Sequence, residues 1–138
     1  MADSVRKVRY AYVMVPNRAG KGAAVLERLR GAGVDLLAYS GFPGARGNAQ
    51  IDLVTEDVGG LRRVAKENGW TLSKVKKGFL VQGDDRLGAV HRHLARLGDA
   101  GVSIVAADAV AAGRGRYGMI LWVKDKDYAR AARALGAR

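Results

Sequence analysis

The sequence predicts an α+β fold in which the element order βαββαβ occurs twice. Without gaps, the chain aligns with itself at an offset of 68 residues, which places Arg18 on Arg86 and Leu29 on Leu97. Within each copy, apolar runs of strand length alternate with segments in which apolar residues recur at helical spacing. The 138 residues, 49% of them hydrophobic and 27% charged, suffice for two small fused units.

Each copy begins with a strand followed by a helix. Tyr10–Val15 and Phe79–Val81 are apolar, β-branched or aromatic runs that end in turn residues, and both are predicted strands. The helix after each strand is indicated by leucines at helical spacing, most clearly Leu94 and Leu97 in the second copy.

Polar residues and glycines mark the ends of these first helices. Asn17 and Asp85 stand near the two helix starts, where a short polar side chain can accept hydrogen bonds from backbone N–H groups. Gly33 and Gly101 stand near the two helix ends, where a left-handed residue stops a helix. We therefore expect polar caps at the start of each helix and glycine stops at its end.

The remaining elements follow in the same order in both copies: a strand, a loop, a strand and an amphipathic helix. In the first copy they are Val34–Tyr39, the loop Gly41–Asn48, Gln50–Thr55 and Val58–Asn68. In the second copy they are Val102–Ala107, the loop Ala109–Gly115, Tyr117–Val123 and Lys126–Leu135. A last strand, Thr71–Val75, is predicted in the first copy only. The complete order is that of the ferredoxin-like fold, an antiparallel sheet with two helices on one face.

The repeat divides the chain into residues 8–76 and 77–138. The second copy lacks a segment that matches Thr71–Val75, so its sheet is one strand short. At the same offset of 68 residues, Asp3–Lys7 corresponds to residues 71–75. We therefore expect residues 3–8 to complete the sheet of the second copy.

Two short motifs recur in both copies. At the turn after the first strand the chain has Asn17-Arg18-Ala19-Gly20 and Asp85-Arg86-Leu87-Gly88, and at the step into the second strand it has Gly33-Val34-Asp35-Leu36 and Gly101-Val102-Ser103-Ile104. These motifs resemble those of the ACT domain family, small amino-acid-binding regulatory modules with the same element order. The family's pattern is Asp-x-Pro-Gly at the turn and Gly-Val/Ile-Asn-Ile at the step. Here Ala19 and Leu87 replace the proline, and Asp35 and Ser103 replace the asparagine.

The resemblance and the physical chemistry of the turn together predict a ligand site. A helix N-terminus presents unpaired N–H groups and a partial positive charge, which suit a carboxylate, and glycine lets the ligand approach the backbone closely. The predicted ligand-binding residues are Asn17, Ala19, Gly20, Val34, Asp35 and Leu36 in the first copy and Asp85, Leu87, Gly88, Val102, Ser103 and Ile104 in the second. A purely structural interpretation, in which these residues only form turns and caps, stays open.

The resemblance implies a regulatory module and not an enzyme. An amino acid would shift the assembly of the module, as a homodimer or on a regulated metabolic enzyme, by binding one state better than another. No catalytic residue, metal site or cofactor is predicted, since the chain has no cysteine and His91 and His93 are two residues apart and expected on the surface. Without a signal peptide or an apolar span, the chain is expected to be cytoplasmic and not membrane-bound.

RNA or other nucleic-acid binding is the alternative function. The net charge of +11 would attract phosphates, and Arg116-Tyr117-Gly118 lies on a strand that carries stacking aromatics in RNA-recognition modules. The charge is spread over both copies, however, and the corresponding first-copy segment from Asn48 to Asp52 has no aromatic residue. A solvated basic surface is therefore favoured over a nucleic-acid patch.

Overall fold

The computed structural model of the chain describes residues 3–138. The α+β, ferredoxin-like fold class predicted from the sequence is confirmed. The first half contains β1 (Ser4–Pro16), α1 (Lys21–Gly31), β2 (Ala38–Pro43), β3 (Asn48–Val54) and α2 (Val58–Glu67). The second half contains β4 (Lys76–Asp84), α3 (Ala89–Asp99), β5 (Ile104–Gly113), β6 (Arg116–Val123) and α4 (Tyr128–Leu135), the last preceded by a 3₁₀ turn at Asp125–Asp127.

The described residues form two compact units. The first unit is Arg9–Lys76. The second unit is Lys77–Arg138 together with the described residues up to Val8. Strand β1 therefore contributes its first residues to the second unit and its remaining residues to the first unit.

The first unit has the strand order β2-β3-β1, with antiparallel pairing throughout. In its register, Val13 of β1 stands opposite Ile51 of β3. Alternate residues of each strand point to the same face of the sheet, and apolar side chains of helices α1 and α2 pack against that face. The sheet and its two helices thus bury one core. The core of this unit is formed by Ala11, Val13, Val25, Leu29, Val34, Ile51, Leu53, Leu61 and Val64.

The strand predicted at Thr71–Val75 is reduced to a single bridge between Leu72 and Val13, so that prediction was wrong. The backbone N–H of Ser73 donates to the carbonyl of Tyr12 at 2.9 Å, as a strand partner would. The returning bond, however, runs from the N–H of Tyr12 to the hydroxyl of Ser73, also at 2.9 Å. Because a side chain takes the place of the backbone acceptor, the ladder stops there.

The second unit has the strand order β1-β4-β6-β5, with Phe79 of β4 opposite Leu121 of β6. Two main-chain hydrogen bonds join the first part of β1 to Arg138. The N–H of Lys7 donates to the carbonyl of Arg138 at 2.8 Å, and the N–H of Arg138 donates to the carbonyl of Val5 at 3.0 Å. The core combines residues from β1, β4, β6, α3, α4 and the segment after α3, namely Val5, Phe79, Val81, Leu97, Val102, Tyr117, Met119, Leu121, Val123, Ala131, Ala132 and Leu135.

The glycine stops of α1 and α3 are confirmed, but the polar caps are not. Gly33 and Gly101 have left-handed φ values of 73° and 71°. At the end of α1, the N–H of Val34, the residue after Gly33, donates to the carbonyl of Leu29 at 2.9 Å. This arrangement is a Schellman motif. At the helix starts, left-handed Gly20 and Gly88 occupy the N-cap positions, and no side chain caps either helix. The predicted cap residues precede these glycines by three positions, because the turn is longer than a simple cap.

The predicted loops of both hairpins were too long. Strand β2 continues to Pro43 and β5 to Gly113, so only residues 44–47 and 114–115 connect them to the next strands. Both connections use left-handed residues, including the non-glycine residues Arg46 and Arg114 at φ of 57° and 55°. Such backbone conformations allow a tight reversal that the glycine-rich composition alone did not distinguish from a long loop.

The strands before these hairpins also begin later than predicted. Strand β2 starts at Ala38 instead of Val34, and β5 starts at Ile104 instead of Val102. The two valines are buried in the cores as parts of the helix stops. Their apolar character therefore reports core packing and not strand pairing.

Within residues 3–138, every helix is too short or too polar to cross a membrane.

Candidate functional site

Each unit has a cleft at the turn between its first strand and first helix. In the first unit the cleft lies where the turn after β1 faces β2, and in the second unit it lies where the turn after β4 faces β5. Both turns are tied to their hairpins in the same way. The N–H of Asn17 donates to the carbonyl of Gly47, and the N–H of Asp85 donates to that of Gly115, each at 2.8 Å.

The second cleft, in the second unit, encloses about 280 Å³. One wall is the start of α3, and the opposite wall is the edge strand β5, which contributes small apolar side chains. Tyr117 of β6 forms part of the floor. The lining residues are Asp85, Arg86, Gly88, Ala89, Val90, His91, Ala109, Val110, Ala111 and Tyr117.

The second cleft contains polar groups of opposite charge, the N–H groups at the start of α3 and the carboxylate of Asp85. Gly88 at φ of 76° begins α3, and the N–H groups of the first helical turn lack intrahelical acceptors. Two of them belong to the cleft residues Val90 and His91. The Asp85 carboxylate stands at the same turn, and no side chain of residues 3–138 forms an ion pair with it. The cleft thus presents a partial positive charge and a free negative charge side by side.

The floor of the second cleft is continuous with a buried polar cluster. The hydroxyl of Tyr117 donates to Oδ2 of Asp3 at 2.6 Å, and Nη2 of Arg92 donates to the same oxygen at 2.6 Å. Nε2 of His93 lies 2.7 Å from that oxygen and 3.1 Å from the Tyr117 hydroxyl. The side chains of His93 and Asp3 are only 2% and 5% exposed.

Burial and hydrogen bonding shift the pKa values of this cluster in opposite directions. Burial alone would raise the pKa of Asp3, but the bonds from Tyr117, His93 and Arg92 and the charge of Arg92 outweigh it and lower that pKa to about 2. Burial, together with the bond to Asp3 and its negative charge, raises the pKa of Tyr117 to about 12. Asp3 is therefore a carboxylate and Tyr117 a neutral donor at neutral pH.

The first cleft, in the first unit, encloses about 250 Å³ and has a different lining. Arg18 and Lys21 supply positive charge, while Tyr39 and Phe42 are both 44% exposed and supply aromatic surface. An amide, that of Asn17, stands where the second cleft has a carboxylate. The two clefts therefore share a position in the fold but differ in charge and in shape.

The predicted site residues fall into two groups. Of those in the turns, Asn17 lines the first cleft and Asp85 and Gly88 line the second, whereas Ala19, Gly20 and Leu87 line neither. Ala19 and Gly20 lie in the same turn as Asn17, and Leu87 is fully exposed to solvent beside Gly88.

The predicted residues of the step motif lie at the other ends of α1 and α3. Val34 and Val102 are buried in the cores of their units, and Leu36 and Ile104 are partly buried against the same cores. Asp35 and Ser103 are exposed. Each helix has 11 residues, so about 16 Å of helix separates the step from the turn. The structure does not bring the two motifs together.

Several lining residues had no assigned role in the sequence. Ala109, Val110 and Ala111 were placed in a loop, although their apolar character marks the continuation of β5. His93 was expected on the surface and is instead buried; only His91 is exposed. Tyr117 was considered as an RNA-stacking residue, but its side chain is buried and bonded to Asp3, so a base cannot stack on it.

Among residues 3–138, no three His, Asp or Glu side chains are grouped as metal ligands would be. The cluster at Asp3 contains one carboxylate and one imidazole, and an arginine donates to that carboxylate. Its donors are therefore arranged to bind a carboxylate.

Comparison with solved structures identifies the class of fold. The chain is similar over 97% of its length to 88% of protein BT0572 from Bacteroides thetaiotaomicron, with a TM-score of 0.77 and 18% identity. It is also similar to the regulatory subunits of aspartate kinase from Thermus flavus (TM-score 0.61, 17% identity, 98% of this chain and 94% of that chain) and from Thermus thermophilus in its ligand-free form (TM-score 0.64, 15% identity, 99% and 95%). The class is therefore that of ACT-like, ferredoxin-type folds.

At the level of sequence, no protein-family model and no curated protein matches the chain. At these identities the structural similarity establishes the fold and leaves the ligand and the partner to be inferred from the clefts.

Proposed function

We propose that the chain is a regulatory module of two ACT-like repeats, residues 8–76 and residues 77–138 with residues 3–8 completing the second, and that it binds an amino acid. The observation that carries the proposal is the second cleft. There the free N–H groups at the start of α3 stand beside the carboxylate of Asp85, which forms no ion pair with any side chain of residues 3–138. These two groups complement the carboxylate and the ammonium of a zwitterion.

The walls of the second cleft favour a small aliphatic side chain on that amino acid. Ala109 and Ala111 leave room between β5 and α3, and Val110 is apolar and 69% exposed. The turn glycine Gly88 lets the ligand approach the backbone. In this proposal the residues of the step motif act indirectly, by ending the helix whose first turn binds the carboxylate.

The first cleft would hold its ligand in a different way. Its predicted turn residues Asn17, Ala19 and Gly20 offer no negative charge for an ammonium group, while Arg18 and Lys21 line the cleft. We therefore place the amino acid in the second cleft and expect weaker amino-acid binding, or none, in the first.

Regulation would act through assembly. Strand β5 is the last strand in the order of its unit, and Val105 and Val110 on it are 60% and 69% exposed. An exposed apolar edge is a common site of chain association, so we propose a homodimer or docking to a regulated metabolic enzyme. The similarity to subunits named as regulators of aspartate kinase supports an enzyme partner of this kind.

The first test is a thermal-shift screen of the protein against the twenty amino acids. A ligand present at about 100 times its dissociation constant adds about 2.7 kcal/mol to the free energy of unfolding, which corresponds to a rise of several degrees in Tm. Titration calorimetry with the amino acid that raises Tm most would then give its affinity. If no amino acid raises Tm, the proposal fails.

The second test locates the site with two matched variants. Asp85→Asn removes the carboxylate at the start of α3, and Asp99→Asn makes the same change at the exposed end of that helix. A charge-assisted hydrogen bond contributes about 1.5–3 kcal/mol, so Asp85→Asn should weaken binding by about ten-fold or more. Asp99→Asn should leave the affinity unchanged. Equal effects of the two substitutions would place the ligand elsewhere.

A further inference from the structure

We propose that Arg92, His93 and Tyr117 form a carboxylate-binding socket beside the second cleft, that Asp3 of the same chain is its resident ligand, and that a small free carboxylate can replace Asp3. The socket adjoins the proposed amino-acid site, and Tyr117 contributes to both: its hydroxyl donates to Asp3, while the residue also lines the second cleft. Its role is to lock the first residues of β1 into the second unit.

The geometry is that of a built binding site. Two donors, the Tyr117 hydroxyl and the Arg92 guanidinium, each reach Oδ2 of Asp3 at 2.6 Å, and the His93 imidazole is 2.7 Å away. These distances are typical of hydrogen bonds to an ionised oxygen. His93 is 2% exposed, and within residues 3–138 its Nδ1 has no hydrogen-bond partner, so the ring is oriented by Nε2, which contacts the Asp3 carboxylate and the Tyr117 hydroxyl.

Gly83 makes room for the carboxylate. A Cβ atom at this position of β4 would overlap the carboxyl group of Asp3. Its backbone does not have a left-handed φ, so the glycine is not required by chain geometry. The space that it leaves is filled by the ligand of the socket.

The other copy of the repeat lacks every part of the socket. At the offset of 68 residues, the positions of Gly83, Arg92, His93 and Tyr117 are occupied by Val15, Ala24, Val25 and Ala49. The fold is therefore built without these side chains in one copy. Since the fold does not need them, a specific interaction with a carboxylate is the better explanation of their joint presence in the other copy.

The location of Asp3 explains what the socket does. Asp3 directly precedes β1, whose first residues pack Val5 into the core and bond to Arg138. A strand end with few buried contacts frays at little energetic cost unless it is tied down. The buried carboxylate fixes the segment at its outer end, while the main-chain bonds fix it further along.

Chemical rescue with sodium acetate tests the socket. Asp3→Gly removes the carboxymethyl group and leaves a space that acetate fits. We expect this variant to lose several degrees of Tm and to shift the ionisation of Tyr117, seen by tyrosine absorbance, downward from about pH 12. Acetate in large excess should restore both properties in part, whereas sodium chloride at equal ionic strength should not.

Asp3→Asn is the matched control. The amide keeps the shape of the side chain and removes its charge, so this variant should lose Tm but should not respond to acetate, because the socket stays filled. If acetate stabilises both variants equally, or stabilises neither, the socket does not bind a free carboxylate and the proposal is overturned.

Hydrogen exchange at the N–H of Lys7 tests the lock separately. This N–H donates to Arg138 in the docked segment. Its protection should fall in Asp3→Gly and should not recover with acetate, because acetate fills the socket without being tethered to β1. Unchanged protection in Asp3→Gly would show that the socket does not hold the segment.

Discussion

Replacement of Tyr117 by phenylalanine removes one buried hydroxyl and leaves the ring in the core. The lost hydrogen bond is 2.6 Å long and ends on an ionised oxygen. Bonds to charged groups contribute about 1.5–3 kcal/mol, and we expect a loss near 2 kcal/mol because Arg92 and His93 still contact Asp3. At roughly 3–5 °C per kcal/mol for a chain of this length, Tm should fall by about 6–10 °C.

The measurement is thermal unfolding followed by circular dichroism at neutral pH, with Tyr128→Phe as the matched control. The Tyr128 hydroxyl donates to the carbonyl of Gly78 at 3.1 Å. Because that acceptor is neutral, its loss should cost only about 0.5–1.5 kcal/mol. Tyr117→Phe should therefore lower Tm more than Tyr128→Phe does, although both substitutions remove one tyrosine hydroxyl.

The pH dependence separates a charged bond from simple packing. Asp3 has its pKa lowered from the ordinary 3.8 to about 2, since the bonds from Tyr117, His93 and Arg92 outweigh the opposing effect of burial. A carboxyl group with a lowered pKa contributes stability that is fully present above its unfolded pKa and is lost as pH falls through its folded pKa. The difference between wild type and Tyr117→Phe should thus be constant between about pH 5 and pH 9 and shrink between pH 4 and pH 2. A difference that matches Tyr128→Phe, or that persists unchanged at pH 2, would refute the reasoning.

Three further predictions concern the helix turn, the core and the edge strand. Gly88→Ala should cost about 1–2 kcal/mol because φ is 76° there. Gly98→Ala, in the last turn of the same helix, where an added Cβ meets no neighbour, should gain about 0.5–1 kcal/mol; urea unfolding measures both. Phe79→Ala should cost about 3–5 kcal/mol by the same assay, since Phe79 is fully buried and stacks on Tyr128 at 4.6 Å. If β5 mediates a homodimer, Val110→Lys should shift the protein to monomer in sedimentation equilibrium, with the monomer still folded by circular dichroism and its Tm lowered by the loss of dimer association; an unchanged mass would exclude that edge.

The order of elements could be predicted from the sequence because it depends on local patterns that occur twice. Apolar spacing located all four helices, and Gly33 and Gly101 ended the helices as expected. The errors arose where one residue type serves two purposes. Val34 and Val102 are apolar because they pack into the cores at helix stops, and a single sequence does not distinguish that from a strand.

The candidate site was only half predictable. Asp85 and Gly88 lie in a contiguous motif and were found from it, whereas Ala109–Ala111 reach the cleft only because β5 extends further than its glycine-rich end indicated. The cluster around Asp3 has no local signal. Asp3 and Tyr117 are 114 positions apart, and no short-range pattern reports a contact of that kind.

The path of β1 has a consequence for synthesis on the ribosome. Residues 4–8 emerge well before their partners, which lie from Lys77 onward, so at about 5–20 residues per second they wait for several seconds before the second unit is available. The first unit, by contrast, is contiguous from Arg9 to Lys76 and can fold as it emerges. Contacts between distant positions form slowly, and during the delay residues 4–8 are open to proteases and chaperones. We therefore expect nascent chains to pass through a stage in which the unit Arg9–Lys76 is folded and residues 4–8 still lack a partner.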